Sequence, residues 1–238
     1  MNLFIHLLTG HLIGDFALQT GTIARQKRYS YRGLLVHLAI VTAATLGVTF
    51  RLPAGIKAAL LVSFGHLLID ALRTGPLRDL RRFALAYFVG DQGLHVAVML
   101  LAVKLFQPPS TWSWRILLKP YTMEDVYLLL LSAFIFLVFV VPVIEALLHL
   151  ELVHDTDPFH LRVTNRMRLL GAAERVVGLL VCLSPWPYLA PLVFVPHFIY
   201  RFAKKGTEPF IYRLARPTLS MVCTFCTGWV LLTVIPWS

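Results

Sequence analysis

Long apolar runs alternate with short polar connections along the whole chain. Crossing about 30 Å of hydrocarbon as a helix takes about 20 mostly apolar residues. Eight runs approach that length: 3–19, 33–50, 54–72, 83–106, 126–148, 169–183, 188–202 and 218–235. The sixth and seventh are short and meet at SPWP (184–187). Two prolines there end a helix, so the pair forms either two helices or one kinked, re-entrant unit. The first run lacks a basic leader and a small-residue cleavage site, and it holds Asp15 in its interior. It is expected to stay as a span and not to be removed as a signal peptide. The expected fold is all-α, a polytopic membrane helix bundle of about eight transmembrane helices. Residues 1–106 and 107–238 are expected as two four-helix halves of one membrane domain.

Composition agrees with that pattern. Hydrophobic residues make up 58% of the chain and charged residues 14%, against about 45–50% and about 25% in soluble domains. Mean hydropathy is +0.72. The net charge of +10 is not clustered as a nucleic-acid surface would be. Sixteen Lys and Arg fall in alternate connections, beginning with Arg25, Lys27, Arg28 and Arg32, and only five in the others. This positive-inside asymmetry predicts both termini outside, the basic connections in the cytoplasm, and no nucleic-acid partner. The amphipathic stretch PLRDLRRFALAYF (76–88) is expected at anionic headgroups. Trp112, Trp114, Trp186 and Trp237 fall near the outer interface, and Tyr29 and Tyr31 near the inner one. Cys182 and the CTFC pair Cys223/Cys226 lack cationic neighbours and read as packing. The stretch HLELVHDTDPFH (149–160) reads as a solvated loop.

Ionisable residues interrupt the first four runs in a repeated way. HLIGDFALQT (11–20) places His11 and Asp15 four apart; SFGHLLIDALR places His66 and Asp70 likewise; FVGDQGLHVAV places Asp91 and His95 in reversed order. GLLVHLAIV adds His37. Residues four apart share a helix face, with Cβ atoms about 5–6 Å apart. With the expected orientation all four helices carry these groups roughly 5–14 Å below the inner surface, at 1.5 Å per residue. Each ionised Asp at the middle of a span costs about 2.5–3.5 kcal/mol, so the three require compensation. Mutual Asp–His pairing supplies some, but leaves His37 over and does not explain the common depth. Imidazoles and carboxylates are also zinc ligands, and iron and manganese accept them. Two divalent ions with one hydroxide would balance three carboxylates; a single ion with the remaining residues around it is the other arrangement.

The segments HLIGDFALQT, LLVHLAI (34–40), GHLLIDALR (65–73) and DQGLHV (91–96) closely resemble a bacterial membrane family catalogued as domain of unknown function 3307. The resemblance is strong over residues 1–106 and continues through GAAERVVGLL (171–180). A glutamate-led segment similar to EYLIGT, expected near the end, is replaced by RPTLSMVCTF (216–225), which puts any role tied to it in question. This family, like a similar group of membrane-bound metal-dependent hydrolases, is thought metal-dependent through such motifs. The resemblance therefore implies a bacterial inner-membrane protein with His11, Asp15, His37, His66, Asp70, Asp91 and His95 as metal ligands, and with Gln19 and Gln92 beside them. It implies no substrate.

The expected function is metal-dependent hydrolysis near the cytoplasmic leaflet. The expected ion is zinc, or else iron or manganese, with one or two bound. Asp15 or Asp91 would act as general base, and the substrate would be a phosphoester or amide of a lipid-like amphiphile. Arg175 or Arg201 would hold a phosphate, unless each forms an internal ion pair or snorkels; Gln19 and Gln92 would also contact substrate. The rival is a divalent-cation transporter, because HxxxD pairs build such sites too. Transport needs a polar route to both sides, whereas 39–48, 58–62 and 96–103 hold no ionisable group and only His6 breaks the pattern. A scaffold with a structural metal is the third reading, disfavoured because such sites are closed and four-coordinate.

Overall fold

Backbone groups in hydrocarbon must find their partners within the segment, which makes a helix of each apolar run. The computed structural model describes residues 1–74, 83–108, 113–153, 165–203 and 210–236, and among these every regular element is helical. The chain divides into two compact units, Met1–Ile135 and Phe136–Ser238.

In the first unit, α1 (Leu3–Leu12) starts on Asn2, whose side-chain oxygen accepts from the amides of Phe4 and Ile5. It continues as a π-helical turn over Ile13–Ala17. α2 (Gly21–Tyr29) and α3 (Tyr31–Thr49) are separated by Ser30 alone. α4 (Gly55–Thr74), α5 (Ala84–Phe106), the short α6 (Trp114–Leu117) and α7 (Met123–Ile135) follow. Nine of the ten residues of α1 are buried, and α3, α4, α5 and α7 pack around it. A helix that is apolar all round belongs inside a bundle. With its π-turn it reaches about 22 Å, short of a full span. α7 belongs to this unit because Asp125 Oδ1 accepts the Asn2 amide at 2.8 Å and Ser132 Oγ lies 2.8 Å from Thr9 Oγ1. The unit therefore extends beyond the half expected to end at residue 106.

Among the described residues, five helices are long and apolar enough to cross a membrane: Tyr31–Thr49, Gly55–Leu72, Ala84–Phe106, Met123–Leu152 and Phe210–Val234. The expected count of eight is not reached, for three reasons. α1 is too short. α9 (Asn165–Cys182) opens with Asn165, Arg166 and Arg168 and is too polar. α10 (Ala190–Ala203) is only 14 residues long, following a 3-10 turn at Pro187–Leu189. Thus the sixth and seventh runs are two helices broken at SPWP. The final helix, α11 (Phe210–Val234), begins well before the expected residue 218 and takes in Pro217 and Arg216.

The second unit comprises a π-helical turn at Phe136–Val140, α8 (Val141–Val153), α9, α10 and α11, with α11 packed on both α8 and α9. Of the amphipathic stretch 76–88, residues 75–82 lie outside the described residues and α5 begins at Ala84. Likewise 149–153 end α8, while 154–160 lie outside. Tyr29, Tyr31, Trp114 and Trp186 are exposed; Trp112 and Trp237 lie outside.

The first unit is apolar on its surface and buries ionisable groups. Leu35, Leu60, Phe64, Leu68, Val89 and Leu94 face outward, whereas His37, His66, Asp70, Asp91 and His95 on the same helices are buried. Exposed apolar patches of this extent are foreign to soluble monomers.

Candidate metal centre

Glycine sets the geometry of the site. Gly10 on α1 and Gly14 in the π-turn that continues it lie on the face that meets α3. A Cβ on Gly10 would fall 2.6 Å from Thr45 Cα, and one on Gly14 would fall 2.6 Å from Val41 Cα. Small residues four apart allow two membrane helices to approach backbone to backbone. The π-turn begins at the same place and carries Asp15 at its centre; such single π-turns recur at functional sites. His37, one helical turn before Val41, consequently brings Nε2 to 3.0 Å from Asp15 Oδ1.

The connection between α1 and α3 folds back on the site in the same way. Ser30 Oγ accepts the Gly33 amide at 3.0 Å and caps α3. A Cβ on Gly33 would fall 2.6 Å from the backbone nitrogen of Lys27, so α2 lies directly on the start of α3. Lys27 is thereby 8% exposed. Its Nζ lies 3.0 Å from His37 Nε2 and donates to Asp70 Oδ2 at 3.2 Å and Asp15 Oδ1 at 3.5 Å. Lys27, expected as one of the basic residues that mark topology, thus has its amine buried among His37, Asp70 and Asp15.

α4 and α5 supply the rest. His66 Nε2 is 3.1 Å from His37 Nε2 and 3.3 Å from Asp70 Oδ2. The His66 and His95 rings are 4.4 Å apart, and His11 stacks on His95 at 5.0 Å. Two groups among the described residues have ligand atoms within 4.8 Å of one another: Asp15, His37 and His66; and His66, Asp70 and His95. They share His66. His11 and Asp91 flank them through Gln92, whose Oε1 is 3.3 Å from His11 Nε2 and whose amide donates to Asp91 at 3.0 Å and Asp15 at 3.4 Å. All seven expected ligands are thus buried in one region, five of them in the two triads. Gln92 joins α1 to α5 rather than standing open to a substrate. Gln19 lies beyond the π-turn, half-buried, and its Oε1 is without a hydrogen-bond partner.

His95 shows that these residues fit a metal ion. Its Nδ1 is 2.8 Å from the Asp91 carbonyl. A carbonyl only accepts, so Nδ1 holds the proton and the lone pair is on Nε2. Nε2 is buried and has no hydrogen-bond partner, in a residue 2% exposed. Buried polar atoms are seldom left unsatisfied, and a backbone carbonyl holding the far nitrogen is how ligating histidines are oriented. The His37 and His66 Nε2 atoms also converge, each facing carboxylate oxygen and the other ring, while their Nδ1 atoms, unlike that of His95, have no hydrogen-bond partner.

In the second unit, Arg175 is committed elsewhere. Its Nε donates to the Leu137 carbonyl in the π-turn at 2.6 Å, and Nη1 to Glu145 at 2.9 Å and Ser220 at 2.9 Å. Arg216 donates to the other Glu145 oxygen at 3.0 Å. Of the alternatives for Arg175, the internal Glu–Arg pair is the one formed, with Glu145 as its acid. Arg201 is buried and lies 5.6 Å from the Tyr212 ring centre. Glu174 instead pairs with His197 at 2.7 Å.

Sequence reading missed Lys27 and the glycine pair. The glycines are spelled out in GHLIG, a small-xxx-small pattern; nothing comparable marks Lys27. No curated protein and no solved structure matches the chain. A family model described as protein of unknown function (DUF3307) matches residues 3–123, the stretch that contains Lys27, Gln92 and every residue of both triads, and the chain belongs to that family.

Proposed function

We propose that the protein is an integral membrane metal-dependent hydrolase acting on the headgroup region of an amphiphile, a phosphoester or an amide. The observation that carries this reading is the pair of overlapping His/Asp triads with the His95 Nε2 lone pair turned inward and unpartnered. His66, Asp70 and His95 would hold a divalent transition metal, zinc before iron or manganese given the donor set. Such an ion supplies Lewis acidity towards a phosphoryl or acyl oxygen and makes water nucleophilic near neutral pH. Asp91, outside both triads, accepts the proton of the attacking water, and Gln92 holds its carboxylate in place. With the basic connections in the cytoplasm, this centre lies beneath the inner leaflet of a bacterial cell membrane.

Hydrolysis is favoured over ion transport by what fills the other end of the unit. Leu3, Phe4, Leu7, Leu52, Ala58, Val62, Met99, Ala102 and Val103 form one apolar cluster across the first part of α1 and α4 and the last part of α5. An ion passing through this cluster would lose its solvation without replacement; His6 and Asp125, buried on the α7 side of α1, are engaged with each other at 3.5 Å. Purified protein is expected to carry tightly bound transition metal, lost in His66→Ala, and to hydrolyse a phosphoester or amide amphiphile in mixed micelles. Elemental analysis finding no metal in the wild type would overturn the reading. Zinc flux into proteoliposomes that disappears in Asp70→Ala would replace it with transport.

A further inference from the structure

We infer that the centre takes one divalent ion, not two, because the ammonium of Lys27 occupies the place of the second. This rests on the metal-dependent reading above and deepens it.

The first argument is position. Lys27 Nζ contacts Asp15, His37 and Asp70 at 3.0–3.5 Å. Asp15 and His37 are the two residues that the first triad does not share with the second. The ammonium therefore contacts both ligands that belong to the first triad alone, and of the second triad it touches Asp70. Of the five Nε2 and carboxylate groups of the two triads, His95 Nε2 is the one that has no hydrogen-bond partner, and His66 Nε2 beside it faces Asp70 Oδ2 at 3.3 Å. The ion belongs with His66, Asp70 and His95.

The second argument is charge. Asp15, Asp70 and Asp91 bring three negative charges into a buried region, and net charge there is costly. Lys27 and one divalent ion neutralise them. Lys27 and two divalent ions would leave an excess of two positive charges, and a hydroxide would remove only one. Without the lysine, two divalent ions and one hydroxide balance the three carboxylates, whereas one ion leaves a net negative charge.

The third argument is construction. A surface lysine would not need Gly33 to admit the backbone of α2, nor Ser30 as a one-residue hinge between two helices. Both act to deliver the residue at position 27 to His37, ten residues along the chain.

The experiment is metal content per chain in detergent-purified protein, loaded with manganese and passed through a desalting column, for the wild type, Lys27→Met and Lys27→Arg. Methionine keeps the apolar stem without the charge. The expected result is one ion in the wild type and in Lys27→Arg, and two in Lys27→Met. Adding His37→Ala to Lys27→Met should return the content to one. Electron paramagnetic resonance should give an isolated-ion spectrum for the wild type and a spin-coupled pair for Lys27→Met. Two ions in the wild type would overturn the inference and leave the metal-dependent reading standing, without reliance on any variant. One ion in Lys27→Met would also overturn it. No ion in the wild type would remove both.

Discussion

Ionisable side chains in apolar runs carry most of what could be read at the scale of the residue. His11, Asp15, His37, His66, Asp70, Asp91 and His95 stand out because lipid-embedded charge is costly enough to require a reason, and the structure gathers all seven in one unit. Lys27 was not legible on the same grounds. A lysine a few residues past a span is the ordinary mark of topology, and only the fold of α2 onto α3 shows that its amine turns inward. Gln92 was legible as a neighbour but not as a bridge. Its amide serves Asp15 and Asp91 from one nitrogen while its carbonyl oxygen faces His11. Groups that orient metal ligands in this way contribute about 10–100-fold to metal affinity. Gln92→Leu keeps the volume and removes the donors. It is expected to weaken zinc binding by about that factor in competition with a chromogenic chelator, whereas Gln19→Leu, which lies outside the cluster, should leave it unchanged. Equal losses in both variants would show that Gln92 acts only through general packing.

At the scale of the element, hydropathy located the helices and misjudged their ends and purposes. α1 and a lipid-exposed helix are both apolar in sequence, but α1 is apolar because it is enclosed by four others. Hydropathy counts residues and does not know what covers them. The π-turn at Ile13–Ala17 has no sequence signature, since it arises where α1 meets α3. The last run is expected to begin at residue 218, but Pro217 lies inside α11, where Arg216 pairs with Glu145 from α8. The approach of α1 to α3 is the element-level feature on which the site depends most. Gly14→Ala places a methyl 2.6 Å from Val41 Cα, a backbone atom that cannot move aside. Gly47 on α3 has nothing within 4 Å of the same position. Thermal unfolding in detergent should therefore separate the two. Gly47→Ala is expected to be neutral or stabilising by up to about 1 kcal/mol, from helix propensity alone. Gly14→Ala should destabilise by about 1–3 kcal/mol, as overpacking does, and lose bound metal together with stability. Retention of full metal content in Gly14→Ala would mean that His37 and Asp15 do not depend on close contact between the helices.

At the scale of the molecule, the first unit departs from the usual arrangement of a soluble protein, with apolar residues outside and ionisable groups buried, and under the proposed hydrolysis this decides from which side a substrate would come. The apolar cluster that includes Phe4, Val62 and Met99 closes one end; the His/Asp cluster and α2 stand at the other. Orientation in the bilayer then decides which leaflet the site serves, and the distribution of Lys and Arg predicts the cytoplasmic one. Arg25 on α2 and Arg115 on α6 are both exposed and belong to opposite ends of the helices of this unit. Lys27, two residues from Arg25, is buried and would be an unsuitable reporter for the same reason that makes it interesting. In a background with Cys182, Cys223 and Cys226 replaced by Ser, Arg115→Cys should react with a membrane-impermeant maleimide added to intact cells. Arg25→Cys should react only in inverted vesicles or after the membrane is opened. The reverse pattern would place the cluster beneath the outer leaflet. Hydrolysis would then have to act on headgroups facing away from the cytoplasm, and the ion would have to come from outside the cell, a change of substrate pool that no residue in the site itself could reveal.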